Sequence, residues 1–458
     1  MTDPDVLPSS FRDPSGFVFR REGILYRQVN RSFQESFDAL LSSGLYDALT
    51  GDGLLIPHEE AGEPATDEAY RVLRPEPIPF VSFPYEWSFS QLKDAALATL
   101  RIQSLALDHG MTLRDASAYN IQFRDGRPIF IDTLSFEPWT EGQPWVAYRQ
   151  FCQHFLAPLA LAAFADIRLL QLLRTNIDGV PLDLAARLLP GAARRRLGIR
   201  LHVVAHAKSQ RRHQGDAEAP SRGRSFSMRA FRGLLDNLTS TVRALSWSPG
   251  RTTWSSYYEE ADHYSDEAFE RKRSLVDRFI GETSPASVWD LGGNIGVFAR
   301  IASERGIPTV CFDLDEAAVE ANYRRVREQA ERQLLPLVLD LTNPSPALGW
   351  AGAERPSLAQ RGPVDLALAL ALVHHLAIGN NVPLQRIAAY FADLCEGLVI
   401  EFVPKEDEKV RTLLATREDV FPDYTEEGFE RAFEERFAIG SKEPIEGSAR
   451  TLYLMKRR

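Results

Sequence analysis

The chain has 458 residues, more than a single hydrophobic core normally organises, so two or three domains are expected. Hydrophobic residues make up 44% and charged residues 25% of the sequence, which is the balance of a soluble globular protein. The formal net charge of −10 argues against a broad basic binding surface, so nucleic acid is not an expected partner.

The cysteines and the apolar runs indicate where the protein resides. Cys152, Cys311 and Cys395 are far apart and match neither a disulfide framework nor a zinc-binding spacing, so we predict buried thiols and no metal site. The acidic N-terminus lacks the features of a signal peptide. The apolar run 155–164 is too short to cross a bilayer and predicts a buried helix. We therefore expect a cytoplasmic protein without a membrane partner.

The N-terminal half mixes strand and helix patterns. The run 16–29 alternates apolar and polar residues and predicts a β-hairpin. Apolar residues recur at three- and four-residue steps in 32–49 and in 90–109, which predicts helices. Residues 145–245 have an almost wholly helical pattern.

Residues 115–137 carry a distinctive order of polar side chains. Asp115 is followed five residues later by Asn120, and then by a predicted turn and a strand that ends in Asp132. This order resembles the catalytic loop of kinase-like proteins, especially aminoglycoside-phosphotransferase relatives. In that family one Asp meets the acceptor hydroxyl, while the Asn and the second Asp hold magnesium.

The segment departs from the kinase pattern in three respects, one of which is that His/Arg before the first Asp is reduced to Arg114. Thr-Leu-Ser follows Asp132 in place of Phe-Gly, and the preceding residues show no Gly-rich loop or nucleotide-binding lysine. Three interpretations stay open: a capped turn before a hairpin, an active kinase, and a degenerate kinase-like domain that presents substrate.

Basic residues cluster at 194–196 and at 208–224. The second stretch also contains Gln, Gly, Asp, Pro and Ser, which is typical of a surface loop. A charge run of this kind is either a solvated face or a contact for a phosphate-bearing substrate.

The pattern of apolar and polar residues changes after residue 270, where apolar strand-like runs alternate with runs of helical periodicity. Alternation of this kind predicts a doubly wound parallel sheet. A predicted antiparallel hairpin formed by 437–445 and 450–455 closes the chain. The predicted strands are 288–291, 309–312, 335–339, 364–372 and 397–402, and the predicted helices are 297–304, 317–329 and 384–394.

These patterns predict an α/β protein with three regions. Region 1–140 is an α+β domain with possible kinase-like character, and 141–250 is a helical continuation of it. Region 251–458 is a Rossmann-like sheet that ends in the antiparallel hairpin.

A glycine-rich turn follows the first strand of the C-terminal sheet. It reads Asp290-Leu-Gly292-Gly293-Asn294-Ile-Gly296, and glycine allows backbone to come close to a ligand. The turn lacks the spacing of a dinucleotide site and the Lys-Ser/Thr of a phosphate loop, which argues against a polyphosphate ligand.

Carboxylates stand at the ends of the next two strands. Asp313 lies where a carboxylate suits hydrogen bonding to ribose hydroxyls, and Asp315 is a nearby alternative or a helix cap. Asp340 precedes Leu341 at the end of the third strand and is placed to accept from an adenine amino group. Open α/β sheets bind ligands at the carboxyl ends of their strands, which is where these acids fall.

In combination these features resemble class I S-adenosylmethionine-dependent methyltransferases. The resemblance implies that Gly292 to Gly296 lie against the methionine end of the cofactor, that Asp313 binds the ribose, and that Asp340 and Leu341 flank the adenine. Asn294 replaces a glycine of many members, a tolerated change because asparagine accepts left-handed conformations. The resemblance also extends to bacterial proteins like the rhizobial nodulation proteins. A lid over the cofactor is a candidate role of four upstream residues, Trp254, Tyr257, Tyr258 and Lys272, and core packing is the alternative for the three aromatic ones.

Three residues are candidates for catalysis. His374 and His375 follow the fourth strand, and Glu401 ends the fifth. A general base helps when the acceptor is a hydroxyl or a protonated amine, and histidine titrates in the useful range. Because His-His-Leu is frequent and often structural in the resembling family, both roles stay open.

The leading hypothesis is a methyltransferase whose N-terminal domain helps to select an unknown acceptor. The alternatives are a bifunctional phosphotransferase and methyltransferase, and a non-catalytic protein that only binds the cofactor. The sequence identifies neither the acceptor atom nor the oligomeric state.

Overall fold

The computed structural model describes residues 5–206, 226–249, 266–415 and 418–458. The chain forms two compact units. Unit 1 comprises Met1–Ser248 with Gly349–Glu354, and unit 2 comprises Pro249–Leu348 with Arg355–Arg458. The basic stretch 208–224 and the aromatic residues Trp254, Tyr257 and Tyr258 lie outside the described residues, so their predicted roles stay predictions.

Unit 1 contains an antiparallel five-stranded sheet of order β1-β2-β3-β5-β4 and two two-stranded sheets, β6-β9 and β7-β8. The predicted hairpin at 16–29 is confirmed as β2 and β3, joined by Glu22 and Gly23 with positive φ angles of 52° and 79°. The strands are β1 Asp5–Val6, β2 Gly16–Arg21, β3 Ile24–Asn30, β4 His58–Glu60, β5 Ala69–Pro75, β6 Met111–Leu113, β7 Ile121–Arg124, β8 Arg127–Phe130 and β9 Phe136–Pro138.

The helices of unit 1 follow from local signals. The predicted helix 90–109 begins after a capping box, in which the Ser88 hydroxyl accepts from the Gln91 N–H. The predicted helix 32–49 is broken at Gly44, which has φ +75°. The α-helices are Gln34–Ser42, Leu45–Gly51, Phe89–Asp108, Tyr148–Phe151, Ala157–Phe164, Leu172–Thr175, Leu182–Leu188, Gly191–Arg195, Leu197–Ile199 and Met228–Arg243.

Two π-helical segments, Cys152–Leu156 and Arg200–Ala205, interrupt the α-helical part of unit 1. The apolar run 155–164 lies in the first of them and in helix Ala157–Phe164, and most of it is buried, as predicted. Among the helices that the structure describes, none has the length and apolar character needed to span a bilayer.

Unit 2 is built on a seven-stranded sheet of order β12-β11-β10-β13-β14-β16-β15. Strands β10 to β14 pair in parallel, whereas β16 pairs antiparallel with both β14 and β15. The predicted parallel sheet with a closing antiparallel hairpin is confirmed, and strand β16 of the hairpin lies beside β14. The strands are β10 Val288–Leu291, β11 Thr309–Asp313, β12 Leu334–Val338, β13 Val364–Ala369, β14 Cys395–Phe402, β15 Phe437–Pro444 and β16 Thr451–Arg457.

The helices of unit 2 cover the sheet. One hydrophobic cluster joins side chains of the helices Asp266–Thr283 and Val297–Ser303 to strands β10, β13, β14 and β16. The remaining helices are Glu316–Glu328, Leu384–Leu394, Glu408–Leu414 and Glu426–Glu434, with a π-helical segment at His375–Gly379. The strand predicted at 364–372 is wrong at its end, because β13 stops at Ala369 and Ala371 adopts a left-handed φ of +50°. All three cysteines are free and buried, as predicted.

Candidate functional site

The glycine-rich turn after β10 is left-handed at several positions. Gly292, Asn294 and Gly296 have φ angles of 78°, 51° and 79°. The N–H groups of Gly292 and Gly293 both donate to the carbonyl of Phe312, at 2.9 and 3.0 Å. Asparagine therefore occupies the conformation that made it a tolerated replacement for glycine.

Gly293 lies in the tightest part of the turn. A Cβ atom at this position would lie 2.5 Å from the Asp290 carboxylate and 2.5 Å from the Cys311 sulfur. Because neither atom belongs to a flexible surface side chain, only glycine fits here without displacing its neighbours.

Arg300 supports the turn from beneath and was not predicted. Its guanidinium donates to the carbonyls of Ile295 and Gly296, at 2.6 and 3.1 Å. Two further bonds of 2.8 and 3.0 Å join it to Glu331. The detectable signal was a single arginine within the otherwise apolar helix Val297–Ser303, of which Arg300 is 4% exposed.

Asp313 connects the first and second strand ends. One carboxylate oxygen accepts from the Asn294 N–H at 2.7 Å, and the other accepts from the Asp315 N–H at 2.8 Å. Burial raises the pKa of Asp313 to about 6. Asp315 accepts from the Ala317 N–H at 2.8 Å, so it caps the following helix, the second of its two predicted roles.

Asp340 stands at the end of the third strand. Its Oδ1 atom accepts from both the N–H and the hydroxyl of Thr342, at 2.8 and 2.6 Å. Asp340 and its neighbour Leu341 both line the cavity at this edge of the sheet. The two side chains therefore form one wall of the cavity.

A cavity of about 300 Å³ opens at the carboxyl edge of the sheet in unit 2. This volume lies in the range of pockets that hold small organic ligands. Of the predicted cofactor residues, Gly296 does not line the cavity, whereas Asp290, Gly292, Gly293, Asn294, Asp313, Asp340 and Leu341 do. Other lining residues are Phe269, Lys272, Phe298, Leu314, Asp315, Leu339, Thr342, Leu370, Ala371, Leu372, His375, Leu376 and Asn380.

Beneath one side of the cavity lies a buried chain of charges. Lys272 Nζ is 2.6 Å from Glu401, which is 3.3 Å from Arg450. Arg450 in turn makes two bonds to Asp407, at 2.7 and 3.2 Å. Glu401 also accepts from the Ala371 N–H at 2.8 Å, so the left-handed turn after β13 is held by this carboxylate.

Asp290 lies 1% exposed under the turn. Its Oδ2 atom has no hydrogen-bond partner within the described residues. Burial and the neighbouring Asp313 charge raise the pKa of Asp290 to about 7, although the Lys272 ammonium acts in the opposite direction. Near neutral pH this carboxyl can therefore exist in both protonation states.

The two histidines have different surroundings. His375 lines the cavity, and burial lowers its pKa to about 4. His374 is 1% exposed and does not line the cavity, and burial together with the His375 charge lowers its pKa strongly. The rings lie 4.1 Å apart between centroids. Only His375 is placed to meet a ligand in the cavity.

The kinase-like residues of unit 1 come together in space. Asp115 is hydrogen-bonded to Asn120 and to Gln150, and burial raises its pKa, with the Asp132 charge acting in the same direction. Asp132 is held by the Arg27 guanidinium at 2.5 Å and by the Ser135 hydroxyl. A guanidinium therefore already neutralises the carboxylate that would hold magnesium in a kinase.

Within the described residues, no group of three or more His, Cys, Asp or Glu side chains is arranged to hold a metal ion.

Replacement of Asp290 by Asn should change how stability depends on pH. A carboxyl whose folded pKa is raised to about 7 stabilises the folded state fully below its unfolded pKa, and this contribution is lost as the pH rises towards 7. The amide mimics the neutral form at every pH. The free energy of unfolding of Asp290→Asn minus that of the unchanged protein should therefore rise by about 2–4 kcal/mol between pH 4 and pH 8.

Urea unfolding of the cofactor-free protein at several pH values measures this difference. The exposed Asp393→Asn serves as a matched control for the loss of one carboxyl group. If the difference in free energy of unfolding between Asp290→Asn and the unchanged protein stays constant with pH, the Asp290 carboxyl has an ordinary pKa.

No family model matches the chain. Nodulation protein NoeA of Rhizobium meliloti (strain 1021) is 37% identical over 463 residues, covering 99% of this chain and 96% of the relative. WbdD aligns with 44% of this chain and 42% of its own at 15% identity, with a TM-score of 0.31. Magnesium protoporphyrin IX methyltransferase ChlM of Synechocystis PCC 6803, solved with bound SAH, aligns with 46% of this chain and 90% of its own at 16% identity, with a TM-score of 0.32.

The sequence match to NoeA includes both units and runs almost end to end in the two proteins. At this identity and coverage the relationship is one of common family and extends well beyond a shared local motif. The chain therefore belongs to the family of nodulation protein NoeA.

Proposed function

We propose that the chain is an S-adenosylmethionine-dependent methyltransferase and that unit 2 binds the methyl donor. The observation that carries this proposal is the convergence of three strand ends on one cavity. The turn after β10, Asp313 after β11 and Asp340 after β12 all line it. This arrangement provides a close backbone approach and two separate carboxylates, and the lysine that lines the cavity, Lys272, is paired with Glu401.

The lining residues fit the parts of this cofactor. Asp313 keeps lone pairs on both oxygens after accepting from the backbone, and these suit two vicinal ribose hydroxyls. Asp340 and Leu341 combine an acceptor with an apolar side chain, which suits the edge and face of an adenine. The orphaned oxygen of Asp290 beside Gly293 suits an ammonium group.

Unit 2 contributes positioning more than acid–base chemistry. When bound, the cofactor supplies a methyl group that its sulfonium already activates. The work left to the protein is to align the acceptor and exclude water. Leu370, Leu372 and Leu376 provide the apolar wall for this step.

His375 is the residue that we propose to orient the acceptor. Its low pKa keeps the imidazole neutral at physiological pH, so one ring nitrogen can accept a hydrogen bond from a hydroxyl or an amine. A weakly basic imidazole orients the acceptor before transfer and receives its proton only as the new bond forms.

Glu401 and His374 have other roles in this proposal. Glu401 is fully buried and its oxygens already meet Lys272, Arg450 and the Ala371 N–H. A carboxylate with these partners maintains the turn after β13. His374 packs behind His375 and supports its ring.

Unit 1 is proposed to assist in the choice of acceptor. The bifunctional alternative needs Asp132 free to hold magnesium, and its ion pair with Arg27 opposes that role. The non-catalytic alternative differs from the proposed methyltransferase in one measurable result, because it predicts cofactor binding without methyl transfer.

Replacement of Asp313 by Ala should abolish cofactor binding. The variant loses both proposed ribose contacts, each a hydrogen bond to a charged group, so affinity should fall by about 100-fold or more. Titration calorimetry with S-adenosylmethionine measures the affinity. A separate experiment, in which labelled cofactor is incubated with fractionated cell extract, shows which fraction accepts the methyl group. Asp393→Ala is the control, and equal affinity for Asp313→Ala would refute the ribose assignment.

Replacement of His375 by Gln should lower turnover by about 10-fold or more while leaving cofactor affinity unchanged. Because the pKa of His375 is lowered to about 4, the turnover of the unchanged protein should show no loss from histidine protonation between pH 8 and pH 5. His374→Gln provides the matched comparison. Equal turnover for His375→Gln and the unchanged protein would make His375 structural.

Magnesium-ATP should leave the thermal unfolding of the chain unchanged, since the Arg27 guanidinium already neutralises Asp132. Differential scanning fluorimetry with magnesium-ATP, and with EDTA as the control, tests this. A rise in unfolding temperature that disappears in Asp132→Asn would favour the phosphotransferase alternative.

A further inference from the structure

A strongly basic segment of unit 1 takes no part in the proposed methyl transfer. Residues 184–206 contain five arginines and neither Asp nor Glu, in a chain whose net charge is −10. Positive charge is therefore concentrated locally on an acidic protein, as expected of a surface that meets an anionic partner. The arginines are Arg187, Arg194, Arg195, Arg196 and Arg200.

Large apolar side chains are exposed among these arginines. Leu197 is 65% exposed, Leu201 51% and Leu188 43%. Leu197 and Leu201 are four residues apart, so they lie one helical turn from each other on one side of the segment. Helices Leu182–Leu188 and Gly191–Arg195 both contact the π-helical segment Arg200–Ala205, so their exposed side chains lie near those of this segment. We call this group of exposed side chains the Arg-Leu face; its members are Leu188, Leu197, Leu201, Arg194, Arg195 and Arg200.

The opposite side of the same segment is firmly packed. Ile199 is 1% exposed, and His202 and Val203 are fully buried. The His202 ring bonds to Tyr148 and Asn237, at 2.7 Å in each case. The leucines therefore point outward because the other face is fixed, and their exposure does not come from an unpacked helix.

A close helix contact adds to this constraint. A Cβ atom on Gly198 would lie 2.1 Å from the Thr241 hydroxyl, so the segment is packed directly against helix Met228–Arg243. Rotation of the segment to bury Leu197 and Leu201 would break this contact.

The five arginines differ in their partners. Arg187 pairs with Asp183 at 2.9 Å, and Arg196 lies over the Phe164 ring at 4.7 Å. Within the part of the chain that the structure describes, no carboxylate pairs with Arg194, Arg195 or Arg200. Exposed guanidiniums next to exposed leucines combine phosphate binding with an apolar contact.

We propose that the Arg-Leu face docks the protein on an anionic lipid surface. Lipid phosphates suit the three arginines, and the acyl region suits the outward leucines, which is the pairing found in interfacial amphipathic segments. Nucleic acid would use the arginines but leave the leucines in water. The proposal revises the expectation of no membrane partner, which rested on the lack of a segment long enough to span a bilayer.

Sedimentation of the full chain with vesicles tests the proposal. Binding is expected to vesicles of equal parts phosphatidylcholine and phosphatidylglycerol, and not to phosphatidylcholine alone. The triple variant Arg194→Gln, Arg195→Gln, Arg200→Gln should bind about 100-fold more weakly, from the usual contribution of each basic residue at an anionic surface. The double variant Leu197→Ser, Leu201→Ser should lose about 10-fold or more.

Matched variants distinguish vesicle binding through the Arg-Leu face from a general attraction between the vesicles and positive charge anywhere on the protein. Arg20→Gln, Arg31→Gln, Arg127→Gln removes the same charge from exposed positions elsewhere in unit 1 and should bind like the unchanged protein. The proposal is overturned if the unchanged protein does not bind the anionic vesicles, or if the two triple variants lose affinity equally. It is also overturned if the leucine variant binds normally while a duplex RNA binds more tightly than the vesicles. Cofactor affinity, measured in parallel, should be the same in all variants, so a failure here is distinct from a failure of the proposed methyltransferase function.

Discussion

The parallel pairing of β10 between β11 and β13 is the constraint on which the site of unit 2 depends. Asp290 pairs with Cys311 on one side and with Leu368 on the other, so the carboxyl ends of three strands reach the same edge. The turn after β10 can then donate two N–H groups to Phe312 and accept the support of Asp313. Without this register the glycines and the carboxylates would lie in separate places.

The buried charges of unit 2 are a second constraint on the fold, because they must be held close together away from water. Lys272, Glu401 and Arg450 come from a helix, a central strand and the loop before the last strand, and each is almost fully buried. Such a network is costly to desolvate, and removal of one member commonly destabilises a protein by about 3–5 kcal/mol. Here it joins the terminal hairpin to the turn at Ala371, which links the antiparallel end of the sheet to the wall of the cavity.

Unit 1 uses charge in a different way. The ion pair of Arg27 with Asp132 joins the five-stranded sheet to the segment that resembles a kinase loop. On the helical side, the segment around Leu197 is held by one buried face while the other carries arginines and leucines to solvent. The same unit thus has one charged pair that is joined internally and one surface on which basic and apolar side chains are exposed together.

Much of the fold and of the candidate site was determined by the sequence alone, because these features are encoded in short segments. The strand, glycine turn and helix from Val288 onward, Asp313 and Asp340 at strand ends, and the closing hairpin each follow from local periodicity and turn chemistry. The helix cap formed by Asp315 is likewise a feature of one short segment, and the sequence offered it as one of two roles.

The contacts between distant residues were decided only by the tertiary structure. Arg300 beneath the turn, Glu401 between Lys272 and Arg450, and Arg27 on Asp132 join positions that no local pattern relates. For the same reason the sequence could list Glu401 and both histidines as equal candidates, whereas packing places only His375 in the cavity. Periodicity shows that a residue lies on a helix or strand, but burial and ion pairing depend on what the rest of the chain brings against it.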